Sequence, residues 1–284
     1  MTHLPFTLAA YFFNALSVLT SKFLLTKTIP DPLVYIFYIS LFSLLVILGL
    51  PFTKTPTIET FNLASFSTLL WTLGAYFMFK ALKIGSVSRV IPVIGTFIPL
   101  ILLVFAAQTQ TISQMQTWAV WLLIAGMIFL TLPDWQGNFS KKEIIFEILS
   151  AALFAFSYII LRQAYLNADF FSVLVWSRLI LIPLGILLFL IPSFRRKIIA
   201  SKGPTNLLFL GGQISGAASE TLILFSISLA NPALVNSLQG TQYIFLLIFG
   251  LFFFKEKYTF LILLSKLTGI ILIGAGLYLL TSPL

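Results

Sequence analysis

The chain gathers its apolar residues into blocks of about twenty, and this decides the solvent in which it folds. At 1.5 Å per residue, such a block crosses a hydrocarbon core of roughly 30 Å. Of the 284 residues, 59% are hydrophobic and 9% charged, more apolar surface than a soluble domain of this size can hide. In lipid the backbone must satisfy its own hydrogen bonds, which leaves helices or a closed barrel. Runs such as Leu41 to Leu50 and Ile244 to Phe254 lack the in/out alternation of barrel strands. The sequence therefore specifies an all-α polytopic membrane protein.

Several chemistries are excluded at once. There are no cysteines and the single histidine, His3, is near the N-terminus, so a zinc site or a histidine-based triad has no material. No cofactor or metal is expected. No nucleotide-binding P-loop is present, so ATP does not drive the protein directly. The net charge of +9 sits at segment ends, where membrane topology explains it better than nucleic-acid binding does. Residues 4–25 read as an uncleaved first span rather than a signal peptide, because no Lys or Arg precedes them.

Ten spans are predicted, at about 4–25, 32–50, 61–82, 88–107, 114–132, 143–165, 170–191, 206–229, 233–254 and 259–281. Turn-rich separators divide them, among them Ile29-Pro30-Asp31-Pro32 and Asn231-Pro232. The chain also repeats itself. Ala125-Gly126, Leu130-Thr131 and Pro133 recur as Ala275-Gly276, Leu280-Thr281 and Pro283, and Ala15, Ser17 and Lys22 recur as Ala155, Ser157 and Arg162. Asp31 and Asp169 open the second and seventh spans, and Phe79, Ile98 and Leu100 match Phe225, Ile244 and Leu246. This ordered series predicts two five-helix repeats, 1–134 and 143–284, joined by a linker at 135–142. Five is odd, so the second copy enters the bilayer from the opposite side. Inverted repeats are a recurring basis for alternating access around a central site.

These residues resemble the drug/metabolite transporter superfamily, in its EamA-type branch. The likeness is strongest in Phe79-Lys80-Ala81-Leu82-Lys83-Ile84-Gly85-Ser86 running to Pro92 and Pro99. It continues in Ala230-Asn231-Pro232-Ala233 and through Phe254-Lys255-Glu256-Lys257 to Gly269, Gly274 and Gly276. Two departures stand out: Gln108 or Gln110 replaces the acid expected after the fourth span, which only Glu256 retains, and Asn14-Ala15 replaces a Trp-Gly pair. The resemblance implies a secondary transporter of a small organic solute, not an enzyme. An exported amino acid or similar amphiphilic metabolite is the leading cargo, and a lipid or lipid-linked-sugar flippase the alternative. It also implies a multi-pass protein of the plasma (bacterial inner) membrane, with lipid around it, as a monomer or homodimer.

Two arguments bear on orientation. Thirteen Lys and Arg collect on one side against Lys54 and Arg162 on the other, which places both termini outside, whereas the family resemblance implies cytoplasmic termini. Lys22, Arg162 and Lys266 read as anchors that snorkel to a surface.

Charges at mid-depth need a reason. Glu220 lies eleven residues before Asn231-Pro232, and Arg178 nine residues after Asp169. Counted from the side bearing the termini, they sit roughly 16 and 13 Å deep, with Asn14 at a similar level. Trp71 also reaches this depth. A substrate site would use Asn14, Trp71, Arg178, Gln213, Glu220 and Gln239. Arg178 would meet a carboxylate or phosphate, and Glu220 an ammonium or a coupling proton. The competing reading is an Arg178–Glu220 ion pair that locks two helices. Gly212 to Gly216 has the GxxxG spacing, which suits either close helix packing or a cavity wall. Pro92, Gly95, Pro99 and Pro183 are the hinge candidates.

Overall fold

The computed structural model describes residues 2–85, 87–109, 112–135, 140–201, 207–253 and 259–281. Ser86, Gln110, Lys202, Lys255, Glu256, Lys257 and Pro283 lie outside the described residues, as do the side chains of Arg89 and Gln108.

Among the described residues all regular structure is helical, and helix occupies each of the ten predicted segments. The order is α1 (Leu4–Lys27), α2 (Pro32–Ser43) continuing as a 3₁₀ segment (Leu44–Phe52), α3 (Ile58–Ile84), α4 (Val87–Thr109) and α5 (Gln114–Thr131). A short 3₁₀ turn (Leu132–Trp135) precedes α6 (Lys141–Asn167), and α7 (Phe170–Ser177) leads through a 3₁₀ turn (Arg178–Ile180) into α8 (Leu181–Leu190). Then come α9 (Pro192–Ala200), α10 (Leu207–Leu229), α11 (Pro232–Ser237), α12 (Gly240–Phe253) and α13 (Phe260–Thr281). Seven of these segments, taking α2 and α7 with their continuations, are long and apolar enough to cross a membrane. The 27-residue α3 is not among them, because Thr60, Asn62, Ser65, Ser67 and Thr68 dilute its apolar content.

Short polar residues start the helices. The Asp31 carboxylate accepts from Leu33 N at 2.9 Å and Asn231 Oδ1 accepts from Ala233 N at 2.8 Å, each with a proline at the first helical position. Asp169 caps α7 through Ser172 N, and Ser113 forms a reciprocal capping box with Gln116. Each such bond satisfies an amide that would otherwise be unpaired at a membrane-facing helix end.

The helices pair along three long seams: α1 against α10, α3 against α6, and α5 against α13. Small residues allow the approach. A Cβ on Gly212 would lie 2.6 Å from Thr20 Cγ2, and one on Gly216 2.9 Å from Ser17 Oγ, so the GxxxG face packs on α1. The α5–α13 seam is closer still: a Cβ on Gly269 would lie 2.5 Å from Leu130 N and 2.7 Å from Gly126 O.

Three cations predicted to snorkel do something else. Lys22 Nζ donates to Leu82 O at 2.5 Å and Gly85 O at 2.7 Å, at the C-terminal end of α3. The Arg162 guanidinium donates to Ile227 O at 2.8 Å and to Ser228 O, at the end of α10. Lys266 is 4% exposed and its ammonium donates to Leu130 O at 3.3 Å, near the end of α5. The last carbonyls of a helix have no partner within it and carry its negative dipole end, so a cation there is satisfied by the protein.

Two predicted spans are broken at mid-depth. Between α7 and α8 the chain tightens at Arg178–Ile180, just before Pro183, which cannot donate a backbone hydrogen bond. Between α11 and α12 it turns at Leu238–Gln239. In contrast, α4 runs unbroken through Pro92 and Pro99. Gly95 within it makes room: a Cβ there would lie 2.0 Å from the Tyr243 hydroxyl, which donates to Ile91 O at 2.9 Å.

Candidate functional site

The breaks and seams together enclose a cavity of about 360 Å³. All six residues nominated from sequence line it: Asn14 from α1, Trp71 from α3, Arg178 from the 3₁₀ turn, Gln213 and Glu220 from α10, and Gln239 from the α11–α12 turn. Their convergence follows from the fold. Gly212 and Gly216 hold one face of α10 on α1, which leaves Gln213 and Glu220 free to face inward. The break after Ser177 puts Arg178 where the helical ladder is interrupted, and the break at Leu238 does the same for Gln239.

The charged pair is not closed. Arg178 Nη2 and Glu220 Oε1 are 3.6 Å apart, with side chains 8% and 18% exposed. A charge-assisted hydrogen bond is ordinarily 2.7–2.9 Å, so this ion pair is a long one. Arg178 Nε is buried with no hydrogen-bond partner. A buried guanidinium with a spare donor is costly unless something else accepts from it. Trp71 and Tyr158 border the Glu220 carboxylate. The remaining lining is mostly aliphatic and aromatic, the composition of a site that takes an organic solute with a few polar contacts.

Sequence reasoning missed Gln242. It is fully buried and lines the cavity, and its Oε1 accepts from Gln239 Nε2 at 3.4 Å while its own Nε2 has no partner. It lies three residues after Gln239, a spacing that puts both on one face of a helix, and that relation is the signal that could have found it. Tyr11, Tyr35 and Tyr158 also line the cavity. Tyr35 donates to Ser21 Oγ at 2.9 Å, and Tyr11 to Val235 O at 3.3 Å, so their hydroxyls are largely committed to the protein. Of the hinge candidates, Pro92, Gly95, Pro99 and Pro183 all lie outside the lining. Among the described residues, no group of three or more His, Asp or Glu is gathered as a metal would need.

The EamA-like transporter family matches residues 141–282, which run from the start of α6 through α13. The chain belongs to the EamA-like transporter family. A small-molecule substrate follows for a membrane transporter of this type, and the family's members are transporters rather than enzymes. A solved crystal structure superposes on this EamA-like chain with a TM-score of 0.65 at 13% identity, covering 96% of this chain and 95% of that one. At that identity the likeness concerns the fold alone. No curated protein matches by sequence.

Proposed function

We propose that this EamA-like protein is a secondary carrier of ten spans in two inverted five-helix repeats, moving a small zwitterionic solute such as an amino acid through the midplane cavity. The observation that carries the reading is the open Arg178–Glu220 pair, 3.6 Å apart inside a cavity that also holds the nominated amides and Trp71. A ligand carboxylate would complete the donors of Arg178, and a ligand ammonium would meet Glu220. Asn14, Gln213 and Gln239 would hydrogen-bond the ligand, and Trp71 would offer an aromatic face. Glu220 is also the candidate for proton coupling, since an acid that faces cation and proton in turn can exchange one for the other.

Packing supports the repeat. Exchanging the first span with the sixth, and the third with the eighth, maps the α1–α10 seam onto the α6–α3 seam and returns the α5–α13 seam to itself. The cations at helix ends follow the same rule: Lys22 of the first span caps the third, and Arg162 of the sixth caps the eighth. Such symmetry suits alternating access. Pro92, Gly95, Pro99 and Pro183 remain the proposed points of compliance, and the basic face, with termini opposite, the proposed cytoplasmic side.

The test is a thermal-stability screen of purified protein against amino acids, amines and organic anions, followed by flux of the best ligand in proteoliposomes. A ligand that binds the native state raises its unfolding temperature by mass action. Stabilisation by zwitterions, with counterflow of the same compounds, supports the carrier. Stabilisation only by anions lacking an ammonium contradicts the role given to Glu220.

A further inference from the structure

The cavity reaches the flank of the protein as well as its interior. Its lining includes Leu45 on the 3₁₀ segment after α2 and Ile214 on α10, which are 61% and 70% exposed, and the exposed Ala217 between Ile214 and Glu220. Counting from Leu207 at the basic side, Ile214 lies roughly 10 Å deep and Glu220 roughly 20 Å. Leu45, thirteen residues after Pro32, is also roughly 20 Å deep. At those depths the surrounding solvent is acyl chain, not water.

Packing explains the opening. One flank of α10 is closed by α1 through Gly212 and Gly216. On the other flank aromatic pairs hold α10 at two levels, with the Gln213–Tyr35 hydrogen bond and the Glu220–Arg178 pair between them. Phe209 meets Phe42 at 5.5 Å, and Phe225 meets Phe170 at 5.2 Å nearer the opposite side. Between these aromatic contacts the 3₁₀ segment is drawn towards α7 instead: a Cβ on Gly49 would lie 2.8 Å from Phe171 and 3.3 Å from Val175. The interval is rimmed by Leu45, Ile214 and Ala217.

We propose that this interval is a lateral window, through which the apolar chain of a zwitterionic single-chain amphiphile lies in the bilayer while its head occupies the Arg178–Glu220 site. The proposal rests on the carrier reading above and narrows its substrate class. The head must carry an anion for Arg178 and an ammonium for Glu220, and the tail must be narrow enough to pass Ala217.

The experiment uses the full chain in phosphatidylcholine nanodiscs with Trp118, Trp121, Trp135 and Trp176 changed to Phe, leaving Trp71 in the cavity as the reporter. Acyl chains dibrominated at mid-length quench tryptophan on contact. Trp71 should be quenched, and Ala217→Phe should relieve most of that quenching by filling the window. Decanoyl lysophosphatidylethanolamine should displace the brominated chain and restore fluorescence. Arg178→Gln should raise the concentration required by about tenfold or more, the equivalent of one lost charge-assisted bond. Absence of quenching at Trp71, while a companion protein retaining only Trp118 is quenched, overturns the window. Quenching of Trp71 that the lysolipid relieves equally well in wild type and Arg178→Gln leaves a window but removes the head site, and with it the carrier reading. Relief of quenching by phenylalanine at concentrations where the lysolipid has no effect assigns the cavity to a soluble zwitterion and overturns the amphiphile.

Discussion

The α5–α13 seam gives a graded prediction. Changing Gly269 to Ala adds a methyl carbon 2.5 Å from Leu130 N and 2.7 Å from Gly126 O, both backbone atoms that no rotamer change can move. The two helices must separate by several tenths of an ångström or more along a seam that also packs Gly276 on Ala119 O. Overpacking of this kind costs about 1–3 kcal/mol. For a chain of this size that corresponds to roughly 2–12 °C in unfolding temperature, at about 2–4 °C per kcal/mol. Gly276→Ala should cost less, since its nearest obstacle is the Leu123 side chain at 2.7 Å, which can shift. Gly274→Ala is the control: nothing lies within 4 Å of the added carbon. Thermal unfolding of the three variants in one detergent should rank them Gly269→Ala, Gly276→Ala, Gly274→Ala, from least to most stable. Equal loss at Gly269 and Gly274 would refute the packing argument and point to a general intolerance of larger residues in α13.

Other perturbations follow from the cations at helix ends and from the caps. Arg162→Met should cost about 1–3 kcal/mol, because the carbonyls of Ile227 and Ser228 lose their donor, and Arg162→Lys should recover part of it; thermal unfolding checks both. Gly95→Ala should displace Tyr243, whose hydroxyl the new carbon would approach to 2.0 Å, and loss of its bond to Ile91 O should appear as faster amide exchange in α4. Partial burial works to raise the Asp31 pKa, but the Lys197 ammonium at 2.8 Å and the Leu33 N–H outweigh it and leave the carboxyl below its ordinary value. A lowered native pKa adds stability above the unfolded value, about 4, that is lost as the pH falls through the native one. Stability should therefore decline from about pH 4 downward, and less steeply in Asp31→Asn. The Asp31–Lys197 coupling itself should be small, about 0.2–1 kcal/mol in a double-mutant cycle, because the lysine is well exposed.

Much of the cavity lining was legible because lipid makes intramembrane polarity expensive. Asn14, Trp71, Arg178, Gln213, Glu220 and Gln239 stood out against apolar spans, and counting residues from the helix ends put several at one depth; all six line one cavity. Gln242 was passed over although it follows Gln239 at a spacing that shares a helix face, and both line the cavity beside the turn at Leu238–Gln239. The partners of Lys22, Arg162 and Lys266 were hidden for another reason. Each is a backbone carbonyl on a different helix, and no side-chain pattern in a single sequence announces it. The GxxxG run was ambiguous on paper and serves both ends: Gly212 and Gly216 pack on α1 while also bordering the cavity.

The most direct test of the carrier reading separates a substrate site from an ion-pair lock. The unfolding temperature without ligand, and the Kd of the best stabilising zwitterion, would be measured for wild type, Arg178→Gln, Glu220→Gln and the double variant. The account predicts at least about tenfold weaker binding in each single variant, from loss of a charge-assisted contact, with only a modest change in ligand-free stability. A lock predicts otherwise: each single variant loses about 3–5 kcal/mol of stability, the neutral double variant regains much of it, and the ligand binds all four proteins alike.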